Sequence, residues 1–284
     1  MQYIKQIDIL RKQIKEYKKQ GKIIGLVPTM GALHEGHASL FDAARKECDI
    51  VVASVFVNPI QFGPNEDFDK YPRPIEDDKK VAEAHGVDIL FNPDVEEIIG
   101  DNLLAFVDIN KLSDNLCGAK RPGHFRGVCT IVSKLFNIVT PDKAFFGKKD
   151  IQQLMIIKKL VADLNFDIEI IGCPIIRESD GLAKSSRNKY LSDSERQDAV
   201  TINIALKHSV EMYNKGEKDA TKLTDAFLST VFNIASAKID YVNIVDENMQ
   251  NVKTAADGNI LAAAVYIGNT RLIDNHILGE QICW

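Results

Sequence analysis

The stretch KIIGLVPTMGALHEGH, residues 22–37, decides how the rest of the chain is read. Its first half is a nearly continuous apolar run ending at Thr29, as in a strand covered on both faces. Gly31 then supplies a turn, and a helix follows over His37–Glu47. A buried strand that turns directly into a helix is the opening unit of a parallel α/β sheet, and it aims the helix's first amides above the strand ends. Such amides favour anions. Gly31 and Gly36 allow a backbone to approach a ligand closely. His34 and His37 lie three apart and share one side of the helix start. Two imidazoles beside those amides suit a polyphosphate whose charge grows on departure. The spacing is not the HExxH of zinc proteases, nor is the stretch a GxGxxG fingerprint or a P-loop. Alone, such a histidine pair is more often incidental than functional.

Working outward, strand and helix signals alternate over the first 175 or so residues. IVVASVFVN (50–58) reads as the next strand, Asp77–His85 as a helix stopped by Gly86, and DILFNP (88–93) as a third strand. A helix over Phe125–Val139, a strand at Lys143–Phe146, a helix over Ile151–Leu164 and a strand at Asp167–Ile171 continue the pattern. The expected fold is therefore α/β, a doubly wound, Rossmann-like parallel sheet with ligands at the carboxyl ends of its strands. After Arg177 the texture changes. Helical stretches at 193–214 and 220–237 precede the strand-like IDYVNIVDE and NILAAAVYIG, which predicts a smaller C-terminal α+β domain. The boundary falls near Pro174–Arg177, giving domains at 1–175 and 176–284. There is no internal repeat or low-complexity segment.

Bulk properties narrow the function. With 45% hydrophobic and 26% charged residues in 284, the chain has the balance of a globular protein able to bury a core. No apolar run reaches the roughly 18–20 residues of a membrane span. At the N-terminus Ile4, Ile7, Leu10 and Ile14 stand at helical spacing with lysines between them. That predicts an amphipathic helix rather than a signal peptide, so a cytoplasmic protein is expected, with no membrane partner. A net charge of −5 without charged blocks gives no electrostatic reason to expect nucleic acid. The five cysteines, at 48, 117, 129, 173 and 283, include no CxxC pair, so reduced thiols are expected rather than a zinc ribbon or a disulfide framework.

Three further strings carry chemistry. FVNPIQFGPNEDFDKYPR (56–73) follows a strand, so Asn58 and Gln61 stand at its carboxyl end. Neutral amides there can bond a small polar acid without adding charge. FFGKKDIQQL (145–154) again ends a strand and opens a helix; Lys149 and Gln153 share one helical face, and Asp150 can take a ribose hydroxyl. RESDGLAKSSRNKYLS (177–192) is a polar loop whose Ser185, Ser186 and Arg187 could close over a triphosphate and exclude water. Each string alone has a bland reading, as turn-making Asn-Pro and Gly-Pro pairs or a solvated helix start.

In company they resemble one family. The strand–turn–helix with HxGH is similar to the nucleotidyltransferase superfamily that includes class I aminoacyl-tRNA synthetases. PTMGALHEGH resembles the ATP-binding stretch of pantothenate synthetases, and the other three strings match that family in order. The resemblance covers essentially the whole chain, strongly from about residue 23 to 192 and weakly beyond. It implies an AMP-forming ligase that uses ATP to condense pantoate with β-alanine through a pantoyl adenylate, in pantothenate and coenzyme A biosynthesis. It further implies that Met30, Gly31, Ala32, Leu33, His34, Glu35, Gly36, His37, Gly147, Lys148, Lys149, Asp150, Ile176, Lys184, Ser185, Ser186 and Arg187 bind ATP. Asn58, Gln61 and Gln153 would hold pantoate, and Gln61 also β-alanine. His34, His37 and Lys149 would stabilise the transferring phosphate, with His37 the proton donor. No metal cage is evident, so Mg²⁺ would ride on the nucleotide phosphates and water. A homodimer is the family's usual state.

Lys184 departs from the family, which usually has an uncharged residue there, so only a main-chain role carries over at that position. Arg121-Pro-Gly-His124-Phe-Arg126-Gly127 and Arg271–Asn275 match family strings without evident chemistry, and the tail HILGEQICW looks longer than usual. Three rivals stand beside this reading. An adenylyl- or cytidylyltransferase would release pyrophosphate but form no amide; a nucleotide sensor would need no transition-state groups; a tRNA synthetase would need a tRNA-binding region. Dependence on β-alanine separates the first from a ligase.

Overall fold

A computed structural model describes residues 1–64 and 66–281. In chain order the elements are β1 (Gln2–Ile4), α1 (Ile7–Lys19), β2 (Ile24–Thr29), α2 (Glu35–Glu47), β3 (Ile50–Val55), α3 (Ile75–Ala84), β4 (Ile89–Phe91) and α4 (Val95–Ile98). There follow α5 (Leu116–Lys120), α6 (His124–Val139), β5 (Lys143–Gly147), α7 (Ile151–Asp163) and β6 (Glu169–Cys173). The last are α8 (Asp193–Asn214), α9 (Ala220–Val231), β7 (Ala237–Val245), β8 (Ile260–Ile267) and β9 (Thr270–Ile277). Short 3-10 turns lie at Pro59–Gln61, Lys148–Asp150 and Ser186–Tyr190.

Six strands form one sheet in the order β1-β4-β3-β2-β5-β6, and every pairing in it is parallel. The chain leaves β2 toward β3 and β4, then returns to lay β5 and β6 on the other side. The order reverses between β2 and β5, and ligands of open α/β sheets sit at the carboxyl ends of strands at such a switch point. β3 is rich in Val and Ile, and both it and β2 are almost wholly buried, because helices cover both faces of a parallel sheet. One core cluster joins Val27, Val51 and Leu90 of the sheet to Leu40, Phe41 and Ala44 of α2. Phe41 is fully buried, and removing such a side chain from water stabilises by about 1.5–3 kcal/mol.

The chain divides into two compact units. The first comprises Met1–Ile109, Arg121–Lys148 and Ile156–Pro174; the second comprises Asn110–Lys120, Lys149–Met155 and Ile175–Trp284. Two pieces from within the first 175 residues thus belong to the second unit. Buried Gln152 joins them there: its Oε1 accepts the Cys117 N–H at 2.9 Å, and its Nε2 donates to the Leu112 and Asn115 carbonyls at 2.8 Å each. Asn115 in turn donates to the Met249 carbonyl at 2.9 Å. The rest of the second unit is the antiparallel sheet β7-β8-β9 with α8 and α9, around Leu206, Phe227, Leu261 and Val265. A reciprocal cap starts α8, Ser192 Oγ accepting the Glu195 N–H while Glu195 Oε2 accepts the Ser192 N–H.

The α/β sheet and the smaller α+β region match the sequence expectation; several element assignments differ. Residues 2–4 form a strand rather than the start of the first helix, because Gln2 donates to the Asp88 carbonyl and Asn92 to the Ile4 carbonyl. Main-chain pairing with β4 there overrides the helical spacing of Ile4. α9 stops at Val231, and Ala237 already belongs to β7. β9 pairs with β8 across Gly268, whose φ of 55° lets the chain reverse. The last residues of the tail, 282–284 with Cys283 and Trp284, lie outside the described residues.

Cys48, Cys117, Cys129 and Cys173 are buried free thiols. Burial pushes Cys48 and Cys173 up to about 11 and Cys129 to about 12. These three should stay protonated and unreactive at pH ~8. Iodoacetamide at that pH should leave them unmodified in the native protein and label them all after unfolding, as read by peptide mass mapping. Native labelling of any of the three would contradict its burial.

Candidate active site

The turn after β2 uses two residues of positive φ, Gly31 at 81° and Ala32 at 51°. Alanine resists that conformation because its Cβ crowds the following carbonyl. Asp78, on α3 and 1% exposed, holds it there. Its Oδ2 accepts the Ala32 N–H at 3.0 Å and its Oδ1 the Leu33 N–H at 2.7 Å. A Cβ at Gly31 would stand 2.8 Å from Asp78 Oδ2 and 2.9 Å from Val55 Cγ1, so the carboxylate also requires glycine at that position. Thr29 closes the turn, donating from Oγ1 to the Ser54 carbonyl at 2.7 Å and accepting the Gly31 N–H at 3.2 Å.

This turn delivers His34 as the N-cap of α2. His34 Nδ1 accepts the Gly36 N–H at 3.1 Å, and His37 Nδ1 accepts the His34 N–H at 3.3 Å. The ring centroids are 4.2 Å apart, so the pair read three apart in sequence does share one side. Since both Nδ1 atoms accept, each neutral ring carries its proton on Nε2. At the helix start several main-chain amides have local partners. The Gly36 amide is taken by the His34 ring, and the His37 and Ala38 amides by the His34 carbonyl at 2.8 and 3.0 Å. Of the other residues in this stretch, Gly31, Ala32 and Leu33 are buried, Met30 and Gly36 half-buried, and Glu35 exposed.

At the end of β3, Asn58 is 2% exposed and its amide is committed within the protein. Its Oδ1 accepts the Ile60 N–H at 3.2 Å, while its Nδ2 donates to the Gly127 carbonyl at 3.1 Å and to Gln61 Oε1 at 2.9 Å. Gln61 Nε2 then donates to Met30 Sδ at 3.2 Å, joining the 56–73 string to the 28–37 string. Gly127 makes the close approach possible. A Cβ there would fall inside contact distance of the Ile60 carbonyl and 2.7 Å from Gln61 Cα. Gly147 and Lys148, half-buried, lie at the carboxyl end of β5 in the same unit.

The second unit holds the remaining predicted residues. Lys149 Nζ lies 3.6 Å from Asp150 Oδ2, and the Lys149 carbonyl accepts from Asn275 Nδ2 at 2.8 Å. Gln153, the third residue of α7, is half-buried. Lys184 donates its amide to the Ile176 carbonyl at 2.9 Å, and its ammonium pairs with Glu178 at 3.0 Å. Ser185 caps the 3-10 turn that follows, accepting the Arg187 N–H at 3.3 Å; Ser186 is buried and Arg187 half-buried. Sequence reasoning missed Asp78, which lies among the acidic residues expected at any helix start, and gave Gly127 no chemistry. The only local signal for Asp78 is that it is buried among acidic neighbours that are exposed, which a single sequence does not display.

A parallel sheet whose central strand turns into His34-Glu-Gly-His37 at its switch point is the arrangement that HxGH nucleotidyltransferases share. Comparison narrows the class. Residues 2–277 match the Pantoate-beta-alanine ligase family. The pantothenate synthetase of Enterococcus faecalis is 53% identical over 276 residues, 97% of this chain and 98% of that protein. That of Clostridium acetobutylicum is 52% identical, covering 97% of this chain and 98% of its own length. The crystal structure of pantothenate synthetase from Thermus thermophilus superposes with a TM-score of 0.93 at 39% identity, over 98% of this chain and 99% of that one. The Francisella tularensis pantoate-beta-alanine ligase, complexed with beta-gamma ATP and beta-alanine, superposes at 0.81 with 36% identity, over 99% of both. The chain belongs to the pantoate–β-alanine ligase family, whose members form an amide bond in pantothenate biosynthesis.

Asp78→Asn tests the basis of the turn. An asparagine keeps the shape but turns an amide N–H₂ toward one of the two main-chain donors. Urea unfolding should show a loss of about 1.5–3 kcal/mol, and ligase turnover should fall with it. Parent-like values for both would mean that the turn does not depend on this carboxylate.

Proposed function

We propose that the chain joins pantoate to β-alanine through an acyl adenylate. The pantoate carboxylate attacks the α-phosphorus of MgATP, forming a P–O bond as the bond to pyrophosphate breaks. The amine of β-alanine then attacks the activated carbonyl, forming the amide as AMP leaves and the amine loses its proton. The residues' task is positioning and charge stabilisation, since transfer at phosphorus needs little covalent help from protein.

The observation that carries this reading is the orientation of the histidine pair. With Nδ1 of each ring accepting a main-chain amide, Nε2–H is the group each ring offers to a phosphate oxygen. His37, the second of the pair, donates a hydrogen bond from Nε2–H to the departing pyrophosphate, and His34 and Lys149 stabilise the charge that develops. Met30 to His37, Gly147 to Asp150, Ile176 and Lys184 to Arg187 bind the nucleotide. At Lys184 the contribution is through the main chain, in keeping with an ammonium already paired to Glu178. Gln61 and Gln153 hold pantoate, Gln61 also meets β-alanine, and Asn58 helps hold pantoate by fixing Gln61. Asn58 orients Gln61 through the 2.9 Å amide pair, so the neutral pocket needs no cation to take a small hydroxy acid.

Mg²⁺ enters on the nucleotide phosphates. Among the described residues no group of three or more His, Cys, Asp or Glu could hold a metal ion. No helix among these residues is long and apolar enough to cross a membrane. We place the enzyme in the cytoplasm, as a homodimer.

The deciding assay measures pyrophosphate release from ATP with pantoate, with and without β-alanine, alongside AMP and product mass. Pantoate-dependent pyrophosphate, with pantothenate formed only when β-alanine is present, is the expected result. Pyrophosphate without β-alanine-dependent product would favour a nucleotidyltransferase. In the same assay His37→Ala should fold normally and lose about 10²–10³-fold in kcat. Gln61→Ala should raise KM for pantoate and β-alanine more than KM for ATP; unaltered pantoate affinity by calorimetry would remove Gln61 from the acid's site.

A further inference from the structure

Behind Gln61 lies a chain of polar contacts that the proposed chemistry does not use. His124, the first residue of α6 and 8% exposed, places Nδ1 2.9 Å from the Gln61 carbonyl and Nε2 3.0 Å from Arg121 Nη1. Arg121 is held in turn by Glu66, Nε to Oε1 at 2.7 Å and Nη2 to Oε2 at 2.6 Å. Burial alone would raise the Glu66 carboxyl, but the Arg121 hydrogen bonds and charge outweigh it and hold it below its ordinary value. The partners settle the imidazole's protonation. A carbonyl oxygen only accepts, so Nδ1 carries a proton; a guanidinium only donates, so Nε2 does not. His124 is therefore the neutral Nδ1–H tautomer, the opposite of the one found at His34 and His37. Glu66 and Arg121 form a bidentate pair that fixes which nitrogen donates.

We propose that His124 is a positioning residue for the acid substrate: its Nδ1–H holds the Gln61 main chain so that the Gln61 side chain meets pantoate, with Arg121 and Glu66 enforcing the tautomer. The inference rests on the reading that Gln61 touches pantoate. Gln61 is fixed from four directions: its carbonyl by His124, its side-chain oxygen by Asn58, its side-chain nitrogen by Met30 Sδ, and its Cα by the close approach of Gly127. The first of these is the only one made by a group that must choose a tautomer, and it acts on the Gln61 main chain rather than on its amide. Loss of the His124 bond frees the peptide to rotate, which misdirects the amide without removing it.

Three variants at one position separate this role from packing. Asparagine places an N–H where Nδ1 is and loses the link to Arg121. Glutamine places an acceptor where Nε2 is, keeping the Arg121 link and losing the bond to Gln61. Alanine loses both. In steady-state assays His124→Asn should keep KM for pantoate within about threefold of the parent, while His124→Gln and His124→Ala raise it roughly tenfold or more. KM for ATP should change by less than about twofold in all three. A parent-like His124→Gln, equal losses in the Asn and Gln variants, or a parallel rise in KM for both substrates would overturn the proposal. Gln61→Ala run alongside keeps the two readings apart. If it leaves pantoate KM unchanged, Gln61 is not in the acid's site, and both readings fail. If it raises pantoate KM while His124→Gln does not, only the role of His124 fails.

Discussion

The two hydrogen bonds from the Ala32 and Leu33 amides to Asp78 are the constraint on which the rest of the first unit's site depends. Left to itself, a chain passing through Gly31 and Ala32 at positive φ would relax, since a non-glycine residue there costs about 1–2 kcal/mol. Hydrogen bonds to a charged acceptor contribute about 1.5–3 kcal/mol each, so two of them outweigh that strain. The result is a reversed peptide that places His34 at the start of α2 with its ring folded back over its own helix.

The same logic of close approach recurs at Gly127. Where Asp78 draws a turn inward by attraction, Gly127 lets α6 and the Pro59–Gln61 turn meet by having nothing in the way. Both devices act on backbone, and both leave side chains to be aimed by whatever polar partner is nearby: Gly36 for His34, Asn58 for Gln61. Rings and amides with fixed partners lose little further freedom when a ligand arrives, which is the physical meaning of preorganisation. The opposite tautomers at His34 and His124 follow from the same rule. In each case the partner at Nδ1, a main-chain N–H in one and a carbonyl in the other, dictates where the proton sits.

Much of this was legible because it is local. A buried strand, a glycine turn and a histidine-bearing helix start are all contained in residues 22–37, and the apolar runs of β2 and β3 announce a covered parallel sheet. What was illegible is what depends on distant partners. Asp78 lies 46 residues from Ala32, and among Glu76, Asp77 and Asp78 nothing in composition marks the buried one. β1 is a strand only because β4 is beside it. The Gly36 amide at the helix start is taken by the His34 ring, a local contact, but one that depends on a rotamer that spacing does not reveal. Gln152 stands next to Gln153 in a helix start read for chemistry, yet its work is to gather the 110–120 segment, and no periodicity distinguishes the two amides.

Within the second unit, β9 shows how a stretch without evident chemistry can organise residues that have it. Asp274 and Asn275 are adjacent on this strand. Asp274, 3% exposed at its side chain, forms a bidentate pair with Arg177, and Arg177 also donates to the Gly181 carbonyl at 3.1 Å. The base of the 177–192 loop is thereby tied to the sheet, while the Lys184–Arg187 tip lies beyond the tie. Buried ion pairs add little net stability compared with apolar packing, but removing one partner costs about 3–5 kcal/mol, so the pair resists displacement. Asn275, one residue on, holds the Lys149 carbonyl. Two consecutive residues of one strand therefore anchor the serine-bearing loop and the lysine-bearing helix start. Arg271, earlier on the same strand, adds a third tie by bonding Asp240 at 2.8 Å and reaching Cys117 Sγ at 3.6 Å. The sheet β7-β8-β9 is thus a frame for the cationic segments, which explains why the 110–120 and 149–155 pieces belong to it although the chain places them within the first 175 residues.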